Sequence, residues 1–305
     1  RWTGYTGVGF SRISVNPSLS IIYKLNYAWR FTVHASYKER YGEMTDLYDR
    51  PYQTDYRNSV WNCGILPVYR QQLYSVYGEY KNTAREFFAT VNLTHNREWY
   101  NRIYEQRIEN GQVQRVSLPL SNHGSGYTVK STLSKGFYDL GLKTSFLALL
   151  NISKAEQISG GQRLPYQYRL MRLEPKVIWT PNRHWETSYQ TDIRYGGSKI
   201  GERTRLAPLW NVTQQVQLSY IFSPIEASLS VDHYHNDVNE DQSVNAVFAD
   251  FSVLWKSRRW QITATATNLF DKRTYGYTRY ASLESYTSWV RIRPREFLVA
   301  IRYQL

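Results

Sequence analysis

Apolar and polar residues alternate along most of this chain. From Trp260 it reads Trp-Gln-Ile-Thr-Ala-Thr-Ala-Thr, with Ile262, Ala264 and Ala266 on one face and Gln261, Thr263, Thr265 and Thr267 on the other. Val216, Leu218, Tyr220 and Phe222 oppose Gln215, Gln217 and Ser219, and Leu229 and Val231 oppose Ser228, Ser230 and Asp232. Tyr127, Val129 and Leu133 oppose Thr128, Lys130 and Thr132. Period two with one apolar face predicts half-buried strands. Strands are predicted near 17–25, 29–38, 71–81, 86–96, 125–135, 142–152, 168–179, 185–194, 210–222, 226–235, 246–256, 260–270 and 294–305, with residues 4–13 able to supply one more. Helical periodicity is almost absent. No apolar run reaches the ~20 residues a spanning helix needs. A transmembrane β-barrel stays open, because its lipid and lumen faces alternate and keep the average hydropathy low.

The connections favour the barrel over a soluble sandwich. Short turns near 25–28, 81–85, 136–141, 180–183, 223–224 and 256–259 alternate with long segments near 40–70, 98–124, 153–167, 195–208, 235–245 and 271–293. Outer-membrane barrels have short periplasmic turns and long extracellular loops. Aromatic residues then fall where a membrane places them. Trp29, Trp179, Trp185, Phe222, Trp255 and Trp260 flank the short turns, and Trp99, Tyr100, Tyr195, Tyr234 and Phe270 sit at the far strand ends.

Composition adds less. The 305 residues include 27 Tyr, 10 Trp and 11 Phe, which suits membrane interfaces but also an aromatic-rich soluble domain. The net charge of +13 predicts a basic lumen and an anionic solute or lipid partner. The cations are scattered and no nucleic-acid motif is present, so nucleic acid is not an expected partner. Cys63 is the only cysteine, which rules out an internal disulfide framework. Residues 1–4 do not read as a signal peptide, so the chain reads as a mature exported protein or an internal fragment.

Two stretches carry a family resemblance. Asn268-Leu269-Phe270-Asp271-Lys272, followed by Arg273-Thr274-Tyr275, resembles the signature of the penultimate strand of TonB-dependent receptors. Arg293-Pro294-Arg295, leading into Phe297, Val299, Ile301, Tyr303 and Leu305, resembles their final strand, in a variant like that of Bacteroidota receptors. Segments 16–25, 32–37 and 45–48 are similar to the family's mid-barrel run. The resemblance implies an all-β, antiparallel up-and-down barrel of about 22 strands in the bacterial outer membrane, filled by a plug domain. Residues 1–305 would form one partial barrel domain, roughly its last thirteen strands, without the plug and early strands. It further implies active uptake of a bulky solute of siderophore, oligosaccharide or peptide class. The implied partners are outer-membrane lipid and lipopolysaccharide, the TonB complex through the plug, and the barrel-assembly machinery, which reads the C-terminal strand. The family ends in an aromatic residue where this chain has Leu305. Two alternatives stand beside this reading: a self-contained passive porin of about fourteen strands, and a barrel docking a surface lipoprotein or envelope complex.

No enzyme motif appears, and neither a cofactor nor catalysis is expected. His233 and His235 share one strand face beside Asp237, Glu240 and Asp241, which makes them weak metal candidates. A solvated loop explains them better, because two His without a third fixed ligand rarely hold metal. The haem-receptor boxes of the family are missing around 40–43. Tyr48, Tyr52, Tyr56, Tyr69, Tyr100, Tyr104, Arg102 and Arg107 enrich the long segments and are candidates for gripping a ligand or for packing the loops.

Overall fold

The computed structural model describes residues 2–3, 9–10, 13–109, 112–201, 204–239, 241–281 and 284–304. Thirteen strands form one antiparallel meander. In chain order they are β1 (Ser18–Lys24), β2 (Trp29–Tyr41), β3 (Val68–Asn82), β4 (Phe87–Tyr100), β5 (Asn122–Phe137), β6 (Leu142–Ser159) and β7 (Gln162–Asn182). They continue as β8 (Trp185–Ile200), β9 (Thr204–Phe222), β10 (Ile225–Asp237), β11 (Ser243–Lys256), β12 (Trp260–Thr267) and β13 (Glu296–Tyr303). Each pairs with the next in this order. The expected up-and-down barrel wall of thirteen strands is present. Of the extra strand suggested near 4–13, only Gly9–Phe10 is described as strand, paired with Trp2–Thr3. Most of that stretch, and Leu305, lie outside the described residues.

The strands are ordered as a closed barrel in which β13 is followed by β1, and this seam is the most thinly covered part of the wall. No register joins β13 to β1 among the described residues, and both strands are exposed along their whole length. Ile22 keeps 61% of its surface and Leu298 65%, although both point toward the lumen side. A fully paired seam would cover one flank of each strand, so β13 and β1 meet only loosely there.

Registers assign every side chain to a face, since directly paired residues point the same way. Val33, Val76, Leu93, Val129, Leu150, Met171 and Tyr195 form one continuous row across seven strands. The adjacent row, Thr32, Tyr77, Asn92, Lys130, Leu149, Arg172 and Arg194, lies on the opposite face. The first row is the outer, lipid-facing surface. At the short-turn end it is bounded by aromatic pairs: Trp29 with Tyr80 at 4.8 Å, Trp185 with Tyr220 at 4.6 Å and Trp260 with Tyr303 at 4.7 Å. Toward the other end Tyr74, His95 and Tyr127 stack, and Tyr195 meets Trp210 at 4.6 Å. Tyr100 and Tyr234 do not belong to this second belt as expected. Their registers turn them inward, where Tyr234 packs against Phe248 and Tyr275.

The turns and long segments differ from the sequence reading in one respect. Gly141, in the left-handed region at φ 59°, closes a short turn where a Cβ would strike the Thr180 carbonyl. The segments near 153–167 and 195–208, expected as loops, are largely strand: β6 and β7 run on to a two-residue turn at Gly160–Gly161. Backbone pairing does not depend on hydropathy, so the ladder persists above the lipid where the apolar alternation has ended. In the other direction, β12 stops at Thr267 instead of 270, because Asn268 takes φ 50°.

Candidate functional site

Above the wall the long segments fold into their own layer. Ile103–Glu109 and Gln112–Leu118 form a hairpin, and Asn58–Trp61 runs parallel to its second arm. Ile103 is fully buried, and Val116 and Ile158 nearly so. Among the described residues, the most deeply buried apolar side chain, Ile103, therefore sits in this layer. Buried apolar residues of the wall strands, Ile158, Leu209, Ala246 and Ala249, lie on β6, β9 and β11. Glu105, only 7% exposed, fixes the layer to the rim: it accepts two hydrogen bonds from Arg107 at 2.7 and 2.9 Å and one from the Gly161 N–H at 3.2 Å.

A cavity of 570 Å³ opens beside it, lined by Tyr104, Arg115, Asn58, Glu105, Glu156 and Tyr166 among others. The Arg115 guanidinium lies 3.7 Å from the Tyr104 ring centroid, and Arg102 stands 5.0 Å from the same ring. Arg102 is itself held by Asp46 at 2.9 Å. Burial pushes the Tyr104 phenol above its ordinary range, so it stays a neutral hydrogen-bonding group at physiological pH. A stacked aromatic with flanking cations and carboxylates suits a polar, hydrogen-bonding ligand. Of the aromatic and arginine candidates, Tyr104 alone lines this cavity. Tyr69 and Tyr100 both bond Glu98, and Tyr48 packs edge-on to Tyr52. Arg107 is bound to Glu105, and Tyr56 carries Arg57 over its ring. Arg115 and Glu105 are contributors that the sequence did not single out. Glu105 is next to Tyr104 in the chain, but only the hairpin pairing of 103–118 brings Arg115 there.

The closing motifs form a second structured region. Asn268 is 6% exposed, and its amide donates to the Lys272 carbonyl at 2.8 Å and the Arg293 carbonyl at 2.9 Å. Its Oδ1 accepts the Lys272 N–H at 3.0 Å, and its own N–H donates to Asp250 at 2.7 Å. Asp271 accepts from the Arg295 N–H at 2.9 Å and from the Arg273 guanidinium at 2.8 Å. The Leu269 N–H bonds the Ala249 carbonyl, and Phe270 stays exposed. Residues 268–272 and 293–295, with Pro294 between its two arginines, thus pin the hairpin Thr274–Ala281/Glu284–Arg291 to the wall at the middle of β11, the end of β12 and the start of β13. Phe297, Val299, Ile301 and Tyr303 do share one face, opposite Ala266, Ala264, Ile262 and Trp260.

His233 and His235 lie on the outer face of β10 near its rim. His235 bonds Asn245 at 2.9 Å and approaches Asp237 at 3.3 Å. Among the described residues no group of three His, Cys, Asp or Glu converges, and Glu240 lies outside them. Cys63 Sγ sits 3.5 Å from Ser117 Oγ in the loop layer.

The lumen face carries cations and carboxylates side by side. Asp192 is gripped by Arg172 at 3.0 Å and Arg194 at 2.6 Å, Arg172 also meets Glu174, and Arg30 meets Glu79. Lys256 meets Glu226, and Asp232 and Asp250 share the same inner surface. Lys130, Lys143 and Lys176 lie on the same face, so these pairs offset only part of its positive charge.

No protein family matches the sequence, and no curated protein does so. Solved structures do. The FrpB iron transporter of Neisseria meningitidis superposes with a TM-score of 0.51 at 9% identity, over 87% of this chain and 44% of that one. The fold is that of an outer-membrane β-barrel. FpvA of P. aeruginosa, bound to a pyoverdine, gives 0.49 at 10% identity over 95% of this chain and 44% of its own. The ferric yersiniabactin uptake receptor FyuA of Yersinia pestis gives 0.45 at 8%, over 95% and 50%. The chain spans half or less of the length of these proteins. An outer-membrane barrel with an apolar outer band between two aromatic belts is an integral protein of the bacterial outer membrane.

Proposed function

We propose that this chain is the C-terminal part of the barrel of a TonB-dependent receptor that takes up a bulky solute. The observation carrying this reading is the seam. Two strands exposed along their whole length cannot both face lipid, because each unpaired backbone group there costs several kcal/mol. Further strands between β13 and β1 would complete a wider barrel, and a wide lumen holds a plug. The Asn268–Lys272 and Arg293–Arg295 segments support the reading, since the resemblance rests on them and they form one hydrogen-bonded knot. In this reading the cavity at Tyr104 and Arg115 faces incoming solute, and the open edge of β13 is what the assembly machinery grips.

The test is uptake by cells carrying the full gene, with and without a functional TonB complex. Energy-dependent accumulation that stops when TonB is deleted supports the proposal. A purified full-length protein that conducts as an open channel in planar bilayers refutes it and favours the passive porin.

A further inference from the structure

One level of the outer face is polar where lipid would favour apolar side chains. Thr191, Gln214 and His233 are register partners across β8, β9 and β10, so they form one outward row. Thr191 and Gln214 lie six residues above the Trp185–Tyr220 pair of the periplasmic belt and four below the Tyr195–Trp210 pair of the upper belt. A strand crosses the hydrocarbon in about 9–11 residues, so both side chains stand inside it. Val212, Val216 and Leu218 hold the neighbouring outward positions of β9. His233 continues the row toward the rim.

Nothing in the wall satisfies these groups. Thr191 is 5% exposed, and its hydroxyl has no hydrogen-bond partner. Among the described residues, neither the Gln214 amide nor the His233 ring has one. The β7–β8 ladder also skips this level: Glu174 and Pro175, opposite Asp192 and Thr191, are without register partners on β8 among the described residues. Pro175 brings no N–H to the ladder. Acyl chains offer no hydrogen bond, and an amide buried in hydrocarbon without one is costly. Four residues of strand span about 13 Å, more than a glutamine side chain can reach, so Gln214 cannot turn to water. The seam does not account for the row either. β8 to β10 are paired on both flanks, and strands added between β13 and β1 would lie elsewhere on the wall.

We propose that this row is an interface between two copies of this chain within the membrane. Its charge pattern is complementary to itself: hydroxyl, carboxamide and imidazole each offer a donor and an acceptor. Depth favours a second copy for a separate reason. Two barrels inserted the same way are related by a two-fold axis along the membrane normal. Each residue then meets residues at its own height, so Gln214 comes against the Thr191–Gln214 level of the second copy. An unrelated partner would need a polar group at the same depth. Only the membrane-facing wall is involved, so failure here leaves the transport reading untouched.

The test uses the full-length protein in phospholipid vesicles, with donor- and acceptor-labelled copies. Energy transfer followed on dilution with lipid reads the dimer. We expect the wild type to dimerise. Gln214→Leu, which suits lipid better and should fold, should weaken the dimer by about tenfold, the order of one or two hydrogen bonds. Gln214→Asn should keep most of it. Gln217→Leu, on the lumen face of the same strand, should leave it unchanged. A second measurement locates the contact. In a Cys63→Ser background, a thiol crosslinker applied to intact outer membranes should join Gln214→Cys to a second copy. Leu150→Cys, on the outer face of β6, should not be joined. A monomer at every dilution, a dimer that Gln214→Leu leaves as tight as wild type, or crosslinking of Gln214→Cys to a different protein alone would overturn the interface.

Discussion

Two adjacent rows of the same sheet have opposite physics. The row from Val33 to Tyr195 is apolar across all seven strands, and the row from Thr32 to Arg194, one residue along each strand, carries hydroxyls, an amide and cations with a single leucine, Leu149. The outer row has solvent of one kind only, so its chemistry is uniform. The inner row faces water and its own neighbours, so it is set by local pairing, as in the Arg172–Asp192–Arg194 cluster. A substitution's cost should follow its face more than its residue type.

The largest effect expected is on the outer face. Leu150→Arg puts a cation at mid-wall against lipid and should destabilise the full barrel by about 2–4 kcal/mol. Leu149→Arg, one residue away on the lumen face, should cost about 1 kcal/mol or less. Urea unfolding in phospholipid vesicles measures both, and equal costs would break the comparison.

The next effect probes the exception to the rule. Asn268 continues the outer-face phase of Ile262, Ala264 and Ala266, yet its φ of 50° takes it out of the strand and buries it. Asn268→Ala removes three side-chain hydrogen bonds and should cost about 2–3 kcal/mol, concentrated in the 269–293 segment. Limited proteolysis should cleave that segment faster while the wall stays intact. Asn268→Asp, which keeps the acceptor, should fall between.

Smaller still is Asp192→Asn on the inner face. Arg172 and Arg194 are partly exposed, so stability should change by no more than about 1 kcal/mol. The lumen should instead become more anion-preferring, which reversal potentials in a bilayer assay can read if the pore is opened.

The smallest effect lies off the wall altogether. Asp55 closes the 52–61 hairpin by accepting the side-chain amide of Asn58 and the N–H groups of Arg57 and Asn58. These bonds, the Asn58 side chain first, hold its carboxyl below the usual carboxylate range. The sign follows: the turn's added stability is complete above the ordinary carboxylate pKa and fades as pH falls through the lowered value. Amide exchange at Arg57 and Asn58 should quicken in acid while that of β4 to β8 does not.

Much of this was legible in the chain. Period-two alternation fixed the thirteen strands and their apolar phase, because each strand's faces are set by sequence parity alone. The periplasmic Trp belt was legible for the same reason. The C-terminal strand's shared face followed from Phe297, Val299, Ile301 and Tyr303 directly. The tertiary structure alone decided where the ladder continues past the lipid, since pairing leaves no hydropathy signature there. It alone turned Tyr100 and Tyr234 inward and put Arg115 against Tyr104, because register between distant segments fixes those contacts. Net charge is a sum over residues, but a barrel wall sorts them by parity and height, and only the assembled sheet assigns both.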